Sequence, residues 1–247
     1  MKYVLLFWLI IVNGLANFAH ADTLIGGTVY FEPEIVNSSD PSQYVGSVFV
    51  RDVRKTIYDE RVEDDKTRMF YEFQWRFRDA ARISIFVSQE FGPQERAKDA
   101  ADRYGIVFGR MLLLLRDGVE QVNFYPTGDD WYASPGEITI HDGAYKNEAA
   151  DGALEESMMH ECVHATQDFK FEETPDWIAA QHADDAFVSD YAKSNPARED
   201  FAETFVLFYG LDIKPNRLHV EDRKAIEALI PNRLAFMRAI YPKHTLK

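Results

Sequence analysis

The spacing of the apolar residues changes along this chain, and the order of the changes points to an α+β fold. Residues 22 to about 92 are strand-like. Thr28-Val29-Tyr30-Phe31, Val48-Phe49-Val50 and Ile83-Ser84-Ile85-Phe86-Val87 are rich in β-branched and aromatic residues, and residues 70–77 alternate aromatic with polar side chains. From Pro93, read as a helix N1 position, Ala97, Ala100, Ala101, Tyr104, Phe108 and Met111 fall at helical spacing. Residues 119–125 and 137–141 read as two further strands, with turn chemistry over 126–136 between them. From Asp151 the chain reads as mostly helical. One helix is expected from about Ala153 to Phe169, a second opens at Thr174-Pro175, and a third opens at Asn195-Pro196 and stops at Gly210. The tail over 220–241 is amphipathic and should be broken at Pro231. A strand-rich lobe over 22–150 and a helical part over 151–247 then make one domain.

Composition supports a folded chain and excludes several classes. Of 247 residues, 46% are hydrophobic and 14% aromatic, enough for a real core and too many for a disordered protein. There are 41 Asp and Glu against 27 Lys and Arg, a net charge of -14. That balance argues against nucleic acid and anionic membrane surfaces as partners. The single cysteine, Cys162, excludes an internal disulfide framework and a Cys-rich zinc finger. The amino terminus carries Lys2, an apolar run from Val4 to Val12, and small residues at Ala19 and Ala21. This is the pattern of a secretory signal over residues 1–21 with cleavage after Ala21. The run is shorter than the roughly 20 apolar residues of a membrane span, and no later stretch is long enough. The expected location is secreted or periplasmic, with no span after cleavage.

The sharpest motif is His160-Glu161-Cys162-Val163-His164. On a helix the two histidines stand one turn apart, lean over the same side and can bind one ion. Glu161 lies between their turns and can reach a water on that ion, which is the working arrangement of H-E-x-x-H. Leu154, Met158, Met159, Val163, Ala165 and Thr166 surround the pair, so the helix should be mostly buried, and buried imidazoles need partners. Cys162 should point into the core, away from any metal. A catalytic zinc takes three protein ligands, and the third is sought in residues 195–205. Glu199 and Glu203 are four apart and share one helix face, opposite a flank carrying Phe201, Phe205 and Phe208. Two like charges at that spacing disfavour each other. A metal on one carboxylate and a ligand imidazole N–H on the other would relieve the repulsion. Spacing alone admits either glutamate as the ligand.

H-E-C-V-H followed by E-D-F-A-E resembles the gluzincin group of zinc metallopeptidases, in which a downstream helix gives a Glu ligand. The stretch over residues 191–205 is similar to those of lethal-factor-type and Mlc-titration-factor-type members. The resemblance implies a zincin-like fold, one zinc ion per chain held by His160, His164 and Glu199, and Glu203 as second partner or alternative ligand. It further implies Glu161 as general base and Tyr191 as a group that polarises the substrate carbonyl. The strand over 137–141 would be the edge strand that pairs with extended substrate backbone. His141 itself is read as a strand-end residue and not a ligand. The spacer from His164 to Glu199 is longer than in thermolysin-type members. The expected activity is zinc-dependent hydrolysis of peptide or protein substrates. A zinc-binding recognition protein without activity and a hydrolase of non-peptide amides are the alternatives.

Overall fold

The computed structural model describes residues 23–243 apart from 33, 80, 81, 144 and 185. The signal segment and the Ala21 cleavage site lie outside the described residues. In chain order the strands are β1 (Thr23–Ile25), β2 (Tyr44–Asp59), β3 (Asp64–Phe77), β4 (Arg82–Ser88), β5 (Gln121–Tyr125), β6 (Trp131–Ser134), β7 (Glu137–His141) and β8 (Phe187–Ser189). The helices are α1 (Gln94–Phe108), α2 (Leu113–Arg116), α3 (Tyr145–Asp151), α4 (Leu154–Thr166), α5 (Pro175–Asp184), α6 (Asp190–Ser194), α7 (Asp200–Asp212), α8 (Val220–Leu229) and α9 (Pro231–Ile240). The fold is mixed α and β, in keeping with the α+β class. Among the described residues no helix is long and apolar enough to cross a membrane.

The chain divides into two compact units. The first holds residues 36–169 and is built on a six-stranded mixed sheet of order β2-β3-β4-β5-β7-β6. β4, β5 and β7 run parallel, while β2, β3 and β6 pair antiparallel with their neighbours. Alternation along β3 sends Phe73, Trp75 and Phe77 to one face, where α1 covers them. The Trp75 indole N–H donates to the Ala101 carbonyl at 3.0 Å, and its ring lies 5.4 Å from that of Phe108. This is the apolar floor of the unit.

The second unit holds residues 23–35 and 170–243. Its core is aromatic. Trp177 of α5 meets Phe201 of α7 at 4.9 Å, and Tyr241 meets Phe205 at 5.4 Å between ring centroids. The fully buried Arg233 donates to Asp200 at 2.7 Å and to Asp184 at 3.2 Å, which joins the start of α7, the start of α9 and the end of α5. β1 pairs in parallel with β8, so residues near the amino end are built into this carboxyl-terminal unit.

Several expectations are corrected here. Residues 28–31 are not a strand. Thr28 and Val29 spend their hydroxyl and N–H on the Glu203 carboxylate instead of a ladder. The edge strand beside β7 is β6, in the stretch read as turn chemistry; β7 is interior, between β5 and β6. β6 has only four residues and is flanked by Gly and Pro, so it shows no period of its own and is held by pairing. The third helix starts at Asp200, after turns over 196–199, and runs through Gly210 to Asp212. Gly210 does not stop a helix; it allows close packing. A Cβ there would lie 3.1 Å from Leu218 and 3.2 Å from Ile35. The break at Pro231 is as expected, between α8 and α9.

Gly210→Val should therefore overpack this contact and lower the unfolding free energy by about 1–3 kcal/mol. Urea denaturation of the variant measures it, and an unchanged midpoint would mean that Leu218 and Ile35 move aside freely.

Candidate metal centre

In the sheet-based unit, α4 carries the histidine pair. Gly152, at φ 71, turns the chain sharply into this helix, a conformation a side chain would resist. Glu155 and Glu156 in the first turn complement the positive end of the helix. Glu155 also pairs with Arg110 at 2.6 Å, fixing that turn against the rest of the unit. At the other end the Gly136 N–H donates to the Ala165 carbonyl at 2.8 Å, so the β6–β7 turn grips the last residues of the helix. Twelve of the thirteen residues of α4 are buried.

The geometry at the motif is that of convergent donors. His160 Nε2 and His164 Nε2 lie 2.9 Å apart, with their rings inclined at 75°. His164 Nδ1 is hydrogen-bonded to Oδ2 of Asp168. Oδ1 of the same carboxylate accepts the Phe169 N–H at 2.6 Å, which anchors it. A carboxylate beside Nδ1 keeps the proton on that nitrogen and leaves the Nε2 lone pair directed at its neighbour. Glu161 follows His160 on the same turn of α4 and is 8% exposed. Cys162 is fully buried, and burial pushes its thiol well above the ordinary cysteine range.

The remaining candidates belong to the helical unit. Glu199 is the N-cap of α7 and 5% exposed, and its N–H donates to the Asn195 carbonyl at 2.8 Å. Glu203, one turn on, is fully buried. Oε1 of Glu203 accepts from the Thr28 hydroxyl and Oε2 accepts the Val29 N–H at 3.0 Å. Tyr191 lies in α6, and its N–H donates to the Gly27 carbonyl at 3.0 Å.

The structure thus brings His160, Glu161 and His164 together on one turn and a half of helix. It gives His164 a partner, Asp168, that sequence reasoning missed. The signal was present: an aspartate four residues after the second histidine falls on the same helix face. His141 ends β7 and is 1% exposed; burial lowers its pKa, which favours the neutral ring. No family model matches this chain, and no curated protein or solved structure is significantly similar to it.

Asp168→Ala should leave His164 unanchored and weaken metal binding by about 10–100-fold, the usual cost of removing such a partner. Titration with zinc against a chelating dye checks this, and full affinity in the variant would remove Asp168 from the centre.

Proposed function

We propose that this chain is a zinc-dependent peptidase of zincin type, secreted or periplasmic after removal of residues 1–21. In this reading His160, His164 and Glu199, each offering one ligand atom, hold a single zinc ion. The observation that carries the proposal is the convergence of the two Nε2 atoms, one of them backed by a buried carboxylate. Two neutral imidazoles and a carboxylate form the donor set that zinc takes in catalytic sites, with a fourth position left for water. Glu199 is preferred to Glu203 because both oxygens of Glu203 already accept hydrogen bonds from Thr28 and Val29.

A zinc ion in such a site acidifies its water and polarises the scissile carbonyl. Glu161 then has the work of a general base. It takes a proton from the attacking water and delivers it to the leaving amine nitrogen. The Tyr191 hydroxyl donates to the carbonyl oxygen as negative charge gathers there. β6 ends the sheet, and its outer edge would offer backbone groups to an extended peptide.

The test separates binding from chemistry. Elemental analysis of the purified chain should give about one zinc per molecule. A peptide-library digest should show cleavage that a chelator abolishes. Glu161→Gln should keep its zinc and lose nearly all cleavage, since an amide cannot take the water's proton. Cleavage by that variant at the wild-type rate would discard the general base, and a chain without stoichiometric metal even after zinc addition would discard the whole reading. Of the two acidic candidates, Glu199→Ala should be mostly metal-free after dialysis and Glu203→Ala should retain zinc. The reverse pattern would exchange their roles.

A further inference from the structure

His141, the last residue of β7, is a buried titratable side chain that the proposed metal centre does not use. Register carries Phe73 through Ile85 and Val122 to Ile138, so alternation places His141 on the sheet face opposite the one that α1 covers. Its ring is enclosed there. Tyr125, its fully buried register partner on β5, lies 5.5 Å away between ring centroids, and Tyr132 of β6 lies 6.1 Å away. The loop over 126–130 packs on the ring, since a Cβ at Gly128 would stand 2.9 Å from His141 Cγ. His141 Nε2 is buried and has no hydrogen-bond partner among the described residues. The same residue holds the edge strand through its backbone: the Trp131 indole N–H donates to the His141 carbonyl at 3.2 Å.

The charges around this ring are largely committed to one another. Arg61 lies 4.4 Å over the Tyr125 ring and pairs with the fully buried Asp59 at 2.8 Å and with Glu90 at 2.9 Å. It also donates to Thr127 at 2.9 Å, in the loop that packs on the ring. Arg68 pairs with Asp59 at 2.7 Å and with Glu90 at 2.8 Å. Glu60 acts on Tyr132, and Asp142, next in the chain, turns its carboxylate to Arg103 and Tyr104. Burial and the positive charge of Arg61 oppose a proton on His141 more than the Asp130 backbone and the charges of Asp59 and Asp130 favour it. An imidazolium would be a further cation shut away from water beside Arg61. We propose that His141 is an acid-sensitive lock on the β6 edge. The neutral ring lets β6 and the loop over 126–130 close on it, and the charged ring opens them to water. The lock lies wholly in the sheet-based unit and needs no bound metal.

The direction of the effect follows from linkage. Below the ordinary histidine value of about 6.5 the open form takes up a proton that the closed form refuses, so opening grows as the pH falls. Hydrogen exchange on the full chain, read as protection of the β6 amides at about pH 7.5 and about pH 5, tests this. In the wild type β6 protection should fall about 10-fold over that range while the amides of α1 keep theirs. His141→Gln keeps a polar side chain that takes no proton, and its β6 protection should be the same at both values. Constant β6 protection in the wild type would overturn the lock. So would an equal fall in His141→Gln, which would assign the pH dependence to other groups, His160 and His164 among them. Should His141→Gln not fold, NMR titration of the wild type decides. The His141 ring should titrate below about 6.5, and the Trp131 indole signal should shift with the same midpoint. A ring midpoint at or above that value, or a Trp131 signal that does not follow it, would overturn the role of His141.

Discussion

A partner on one imidazole nitrogen fixes the tautomer and orientation of the other, and Asp168 is such a partner for the buried His164 of the sheet-based unit. The demand behind it is general. A polar or charged group taken out of water must find a partner, or the fold loses more than burial of its neighbours contributes. Much of the architecture around the site can be derived from that demand. α4 is nearly all buried, so its acidic first turn needs Arg110 and its last carbonyls need the Gly136 N–H and the Thr166 hydroxyl. Each of these contacts also limits how far the histidines can move. Rigidity at the motif thus comes from satisfying the helix that carries it.

The sheet enters the same argument. Its helix-covered face is apolar, with Trp75, Phe77, Phe108 and Phe124 in contact, and tolerates no unpaired group; the one indole N–H there finds the Ala101 carbonyl. At the end of the order, β6 pairs on one side only, which leaves a row of backbone donors and acceptors. A four-residue edge strand is short enough to discourage pairing with another copy of the sheet. Its neighbour β7 leads directly through α3 into α4, so the edge and the motif share one continuous piece of chain.

What could be read from the residues follows from how local each signal is. The H-E-x-x-H helix, the Pro175 start and the Pro231 break depend on neighbours within one or two turns, and each appears within a few residues of its expected place. The third helix was misplaced because Gly210 reads as a stop, whereas its bareness answers Leu218 and Ile35 from elsewhere in the chain. β6 was hidden because four residues cannot show a period. The strand expected at 28–31 had the right composition, but a buried carboxylate on α7 competed for its donors and won. At the candidate site, the convergence of the histidine pair was legible from spacing. The partner of His164 could have been found by the same rule, whereas the donors on Glu203 could not.

Glu199 and Glu203 show why that last contact matters most. Spacing alone makes them equivalent, two carboxylates on one face of one helix. Their surroundings make them different. Glu199 stands at the N-cap, where the helix end favours negative charge and the side chain lies outside the ladder of backbone bonds. Glu203 is a full turn inside, with no exposure, and Thr28 and Val29 both donate to its carboxylate there. Part of the surroundings of Glu203 therefore comes from a piece of chain that lies about 175 residues away in sequence. No periodicity in α7 could carry that information. It resides in the pairing of β1 with β8, which brings Thr28 within reach of the helix.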